Sequence, residues 1–218
     1  MGQRTVRAGN PDSSRAFLTR RREVALKPKP MDPFSYLSVL ISIILGLAVQ
    51  QVLQGYRALI LSRRRIRFYA PPLIWSVLIL MMVAQNWWAS FGLAGRAEWS
   101  FALFATILLQ AILLYMLAAI VLPDIPADEP IDLRDHYDRE SQAFFGISSA
   151  LILWSLFRDF MLTGALPEPA RLAFYGIFLA LAVAAIFLKH RRLHEAFAVL
   201  MAILFSVFIG LLFARLAP

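Results

Sequence analysis

Residues 98–122 read EWSFALFATILLQAILLYMLAAIVL, and their only charge, Glu98, stands at the edge. As an α-helix rising 1.5 Å per residue this stretch covers roughly 37 Å, more than the ~30 Å hydrocarbon core of a bilayer. It shows no apolar–polar alternation and is too long for a barrel strand. In lipid its backbone amides are satisfied only by helical hydrogen bonds. The reading that decides the fold is therefore a transmembrane helix.

Working outward, five more stretches have the same character: 34–61, 72–93, 142–166, 170–189 and 195–215. Proline punctuates them. Pro71-Pro72 opens the second stretch, Pro123 closes the third, and Pro167 and Pro169 frame a tight turn between the fourth and fifth. The 218 residues are 60% hydrophobic with a mean hydropathy of +0.65, beyond the apolar share of about 45–50% usual in a soluble domain. The expected fold is all-α: a polytopic integral membrane bundle of six helices, with residues 31–218 as a single domain. Cysteine is absent, which excludes disulfides and thiolate chemistry.

Lysine occurs only at positions 27, 29 and 189, against many arginines. Such a bias accompanies GC-rich bacterial coding, and the expected location is a bacterial cytoplasmic membrane. The net charge of +8 invites a nucleic-acid reading. The charges instead lie in short clusters between apolar runs, without the interleaved aromatics of a strand-binding face, so no nucleic acid is expected as a partner. The clusters act as topology signals. Arg63, Arg64, Arg65 and Arg67 lie in loop 1–2, Arg134 and Arg139 in loop 3–4, and Lys189, Arg191 and Arg192 in loop 5–6. The other side carries Arg96, Arg171 and Arg215. The positive-inside rule places loops 1–2, 3–4 and 5–6 in the cytoplasm and both termini outside. Residues 1–30 hold eight basic residues and no apolar signal region. They read either as a disordered basic tail or as an untranslated extension, with Met31 as the start. The topology favours Met31, because so basic a tail resists translocation.

Two helices carry polar residues at helical spacing. In the first, Ser38, Ser42, Gly46, Gln50 and Gln54 recur every four residues, with Gln51 beside them and Arg57 at the cytoplasmic end. Residues four apart share a face. Such a face is either a packing seam held by amide hydrogen bonds or the lining of a polar passage. In the fourth helix Ser148, Ser155, Asp159 and Thr163 share a side, with Arg158 adjacent. An ionisable residue in a span is a functional candidate because an unpaired charge in lipid is costly. Gln85 and Asn86 of the second helix fall at the depth of Arg158 and Asp159, and Gln110 of the third lies mid-membrane. The candidate polar network is thus Gln50, Gln51, Gln54, Arg57, Gln85, Asn86, Gln110, Arg158 and Asp159.

The fifth and sixth helices read as structural. Gly176, Ala180 and Ala184, and Ala198, Ala202, Ser206, Gly210 and Ala214, repeat every four residues and are expected to form a close-packed seam, or a subunit contact. Tyr56-Arg57 and Phe157-Arg158 come late in the first and fourth helices, a faint hint of an inverted repeat. His190 and His194 have chelating spacing but enclose Arg191 and Arg192, so a solvated helix start is expected rather than zinc. Asp132, Asp135, His136 and Asp138 belong to a charged loop, 124–140, without calcium-site spacing, and a solvated run is expected there. No catalytic motif appears. No catalytic residue, cofactor or metal is expected. Two functions remain: passage of a small solute or ion by a transporter or channel-like bundle, or a non-transporting scaffold, sensor or accessory subunit. The lipid bilayer is the one expected partner in either case, with a homo-oligomer or partner subunit as a further expectation.

Overall fold

The computed structural model describes residues 33–96, 98–124, 131–188 and 190–214; the basic tail and the start at Met31 lie outside them. The expected helix bundle is present. α1 is Pro33–Leu61, α2 Ala70–Ser90, α3 Phe101–Ile120, α4 Leu133–Thr163, α5 Pro169–Phe187 and α6 Arg191–Ala214. Among the described residues these six are long and apolar enough to cross a membrane. Leu53, Ile60, Phe101, Phe157 and Ile203 are among the many large apolar side chains on the outside. A surface this greasy suits lipid and not water.

Local chemistry sets the helix ends. Ser100 caps α3 by accepting from the Leu103 amide at 3.2 Å, and Asp132 caps α4 by accepting from the Arg134 amide at 2.9 Å. Gly164, at φ 70°, ends α4 in the left-handed conformation, its N–H reaching the Phe160 carbonyl. Pro71 and Pro72 sit in the first turn of α2, where their missing amides cost nothing.

α4 begins nine residues earlier than the apolar pattern implies. Its first turns, Leu133 to Glu140, belong to the stretch expected as solvated loop. They are helical because Asp132 supplies a cap and because Leu133 and Tyr137 are buried on the inner side. Their acidic residues stay outside, with Asp138 3.6 Å from Arg134. A two-residue parallel bridge pairs β1, Ile66–Arg67, with β2, Ile131–Asp132, and Arg67 lies 3.7 Å from Asp132. Arg191 packs over the Tyr69 ring at 5.6 Å. Loops 1–2, 3–4 and 5–6 therefore share one end of the bundle. At the other end Arg96 donates to the Leu162 carbonyl at 3.0 Å, joining loop 2–3 to the end of α4.

α1 packs chiefly on α3. Its inner stripe, Leu37, Ile41, Leu45, Ala48 and Val52, is buried and repeats at three or four residues, as a helix seam requires. Gly55 continues the stripe where Leu122 comes so close that a Cβ would stand 2.6 Å from its Cδ1. Polar bonds fasten α1 along its length: Trp87 Nε1 donates to Ser42 Oγ at 3.3 Å, Gln51 Nε2 donates to the Tyr115 hydroxyl at 3.3 Å, and the Tyr56 and Ser76 hydroxyls meet at 2.8 Å. The hinted inverted repeat has no counterpart in packing. α6 lies chiefly on α2, whereas a repeat of the α1–α3 pair would set it on α4.

The seam expected between α5 and α6 is not built from the small-residue stripes. Gly176, Ala180, Ala184, Ser206 and Gly210 are exposed and Ala202 is half-buried; of the stripes only Ala198 turns inward, with Ala182, Ala185, Met201 and Phe205 beside it, among the residues whose burial is described. α5 packs mainly on α4 and α6 on α2, which leaves between them a gap bordered by Phe174, Phe178, Phe205 and Phe208.

Candidate functional site

The interior gap is a partly open cavity of about 170 Å³ lined by α2, α3, α4, α5 and α6, with no lining residue from α1. On α2 it reaches from Trp75 to Asn86, roughly 16 Å of helix. The end nearer loop 1–2 is apolar: Trp75, Leu117, Phe145, Met201 and Phe205 line it. Trp75 stands edge-on to Phe145 at 5.4 Å and close to Phe197 at 5.9 Å, so the aromatic rings form a floor. The end nearer loop 2–3 is polar, lined by Gln85, Asn86, Gln110, Ser155 and Arg158.

Each polar side chain is held by a neighbouring helix. Gln110, 6% exposed, donates through Nε2 to Ser155 Oγ at 2.9 Å, and Ser155 donates to the Leu151 carbonyl at 2.8 Å. Arg158 donates to Asn86 Oδ1 at 3.3 Å and to Asp159 Oδ1 at 2.9 Å. The other Asp159 oxygen accepts from the Tyr175 hydroxyl at 2.9 Å and lies 3.8 Å from Arg171. Side-chain exposures of 19% and 12% for Arg158 and Asp159 place the pair where an unpaired charge would be costly, and each partner neutralises the other.

Two buried atoms of this network are left over. Gln110 Oε1 and Arg158 Nε have no hydrogen-bond partner among the described residues. A buried polar atom without a partner costs about 1–3 kcal/mol. One is an acceptor and the other a donor, and both belong to residues that line the cavity, as does Trp75, whose Nε1 is likewise buried without a partner among the described residues. Hydrogen-bond donors and acceptors beside an aromatic floor are suited to holding and orienting a solute.

No family model, curated protein or solved structure matches this chain. The reading of the site therefore rests on the geometry.

Of the nine polar residues singled out from sequence, five come together here: Gln85, Asn86, Gln110, Arg158 and Asp159. The depth match of Asn86 with Arg158 is realised as a hydrogen bond, and Arg158 pairs with its own neighbour Asp159. The other four are elsewhere. Gln51 fastens α1 to α3, while Gln50, Gln54 and Arg57 are exposed on the outer side of α1. Trp87 of α2 donates to Ser42 of α1 at 3.3 Å. The first and fourth helices do not jointly enclose a passage.

Sequence reading missed Tyr175 and Arg171, because α5 looked purely structural. The signal was available in the tight turn: Asp159 and Tyr175 are nearly equidistant from its centre, which sets them at one depth on antiparallel helices. It also missed His194. Expected to be solvated, it is buried, held by the Tyr137 hydroxyl at 3.0 Å and the Leu188 carbonyl at 2.8 Å. The carbonyl accepts only, so Nε2 carries the proton and Nδ1 accepts from Tyr137. Above it Tyr69 is buried, its hydroxyl without a partner among the described residues. Burial first, and then the Glu195 and Asp138 carboxylates, hold this phenol above its ordinary pKa. Of the acidic loop, Asp132 faces Arg67 and His136 donates through Nε2 to the Ile120 carbonyl at 3.1 Å. Among the described residues no group of three His, Asp or Glu side chains could hold a metal.

Proposed function

We propose that this chain binds a small solute in the cavity between α2 and α6 and passes it across the bilayer, with the polar end at Arg158 and Gln110 as the selecting site. The observation that carries this reading is a cavity inside the membrane-spanning region that is apolar at one end and lined at the other by Gln85, Asn86, Gln110, Ser155 and Arg158. The basic loops support an orientation with loops 1–2, 3–4 and 5–6 on the cytoplasmic side of a bacterial inner membrane. The test is flux into proteoliposomes across a panel of small solutes. Gln110→Leu and Arg158→Met should each lower flux of the transported solute by about tenfold or more while the purified protein keeps its helical content. Flux equal to that of empty liposomes over the panel would remove the reading.

A second reading, an accessory or scaffold subunit, is favoured by one specific feature. On the outer face of α1, Gly46, Gln50 and Gln54 are exposed together, and amides facing hydrocarbon gain from a polar partner helix. Because the chain has no cysteine, a single Gln50→Cys variant reports self-association in native membranes by disulfide cross-linking. A cross-linked dimer supports the contact; a wholly monomeric product counts against it.

A further inference from the structure

We infer that the chain forms a twofold dimer within the bilayer, in which two copies of α1 run parallel along a heptad seam and Gln50 faces Gln50 across the axis. It rests on the outer α1 face of the second reading above, names a second copy as the partner, and is independent of what the cavity carries.

Three observations on α1 carry it. The first is spacing. Val39, Ile43, Gly46, Gln50, Leu53 and Arg57 follow one another at intervals of four, three, four, three and four, the seven-residue repeat that winds two helices into a left-handed pair. The second is that the chain leaves this seam uncovered. All six residues are exposed, Val39, Ile43 and Leu53 each by more than half, while the buried stripe from Leu37 to Val52 packs the opposite side of the helix. A Cβ at Gly46 would meet nothing within 4 Å, so another backbone can approach there. The third is depth. Tyr56 meets Ser76, six residues beyond the start of α2 at Ala70, or roughly 9 Å along its axis. Gln50 lies six residues farther from loop 1–2 than Tyr56, roughly another 9 Å, which sets it near the middle of a ~30 Å hydrocarbon core. Its exposed amide has no side-chain partner among the described residues, and an unmet amide in hydrocarbon is costly.

A second copy fits this face. The basic bias of loops 1–2, 3–4 and 5–6 gives every copy one orientation, so α1 helices that meet are parallel and bring equal depths together. A parallel heptad pair sets each seam residue against its own counterpart. Glutamine suits such a place because its Nε2 donates to the Oε1 of its twin, and one polar residue in the seam fixes the register. Arg57 cannot pair with itself, but it stands at the loop 1–2 end, where its long side chain reaches the aqueous boundary.

The chain has no cysteine, so a single-cysteine scan of the full-length protein in native membranes reads the seam. Under mild oxidation Ile43→Cys, Gly46→Cys, Gln50→Cys and Leu53→Cys should each cross-link about fivefold more than Leu40→Cys and Leu47→Cys, because a disulfide needs close Cβ atoms. Leu40 and Leu47 are exposed too, but stand beside the seam. Energy transfer between donor- and acceptor-labelled copies in proteoliposomes then measures affinity. Gln50→Leu should weaken association by about tenfold, and Gln50→Asn, which keeps an amide, should weaken it less. Equal cross-linking at all six positions reports random collision and overturns the inference, as does cross-linking at none. Association unchanged in Gln50→Leu overturns the amide pairing at the axis. An adduct of Gln50→Cys with a different protein alone overturns the dimer and leaves the accessory-subunit reading standing. A seam that cross-links as expected in a protein without flux upholds the dimer and removes transport; flux from a protein that never cross-links does the reverse.

Discussion

The Tyr175 hydroxyl donates to Asp159 Oδ2 at 2.9 Å while Arg158 holds Oδ1 at the same distance. One carboxylate is thus shared between its own helix and α5, and this ties the polar end of the cavity to a helix that reads as wholly apolar packing. Tyr175→Phe removes one neutral donor and leaves the ion pair, so a loss of about 1 kcal/mol is expected. Asp159→Asn leaves Arg158 without its counter-charge in a mostly buried position and should cost more, up to about 3–5 kcal/mol. Unfolding of the two variants in the same detergent mixture measures the order. Equal losses would mean that the charge of Asp159 contributes nothing.

Gly55 faces Leu122 so closely that Gly55→Ala would set a Cβ 2.6 Å from the leucine Cδ1 and 2.8 Å from its Cβ. Overpacking of this kind costs about 1–3 kcal/mol. The prediction is a double-mutant cycle: Gly55→Ala destabilises, and adding Leu122→Ala restores part of the loss by opening the space. Strict additivity of the two substitutions, read from thermal unfolding, would show that α1 moves away freely instead.

Helix number and most helix bounds were legible in the chain because lipid demands about twenty apolar residues per crossing and proline marks the breaks. The early start of α4 was not legible. Leu133 and Tyr137 are isolated apolar residues among charges, and only tertiary packing against Tyr69 and His194 makes that turn worth forming. Periodicity found the stripe Gly46, Gln50 and Gln54 but could not say which way it faces. A parallel stripe, Ala48 and Val52, is equally regular and is the one that packs. Half the polar site was legible because Arg158 and Asp159 are conspicuous in a span. Tyr175 was not, since a tyrosine in a span is ordinarily read as an interfacial anchor.

His194 and Tyr137 share a hydrogen bond of 3.0 Å in a buried aromatic cluster that joins α4 to the first turn of α6. Tyr137→Phe leaves His194 Nδ1 without its donor, and His194→Phe leaves the Tyr137 hydroxyl and the Leu188 carbonyl unmet. Each single substitution should cost about 1–3 kcal/mol. The double substitution should cost less than their sum, by about 0.5–3 kcal/mol for groups in contact. Chemical unfolding of the four proteins checks the coupling, and additive losses would dissolve it.

Arg67 and Asp132 pair across the short β1–β2 bridge, which places loops 1–2 and 3–4 on one side of the bundle whatever its orientation. With no native cysteine, single substitutions report sidedness cleanly. Arg64→Cys and Arg139→Cys should share one labelling phenotype with a membrane-impermeant maleimide on intact cells, and Glu98→Cys and Glu168→Cys should share the opposite one. The positive-inside rule further predicts that the first two are protected and the second two labelled. Protection of Glu98→Cys together with labelling of Arg64→Cys would invert the bundle and put the polar end of the cavity, at Arg158, on the cytoplasmic side. A split within either pair would contradict the paired loops themselves, because the bridge and the Arg96–Leu162 contact at the opposite end fix which loops travel together.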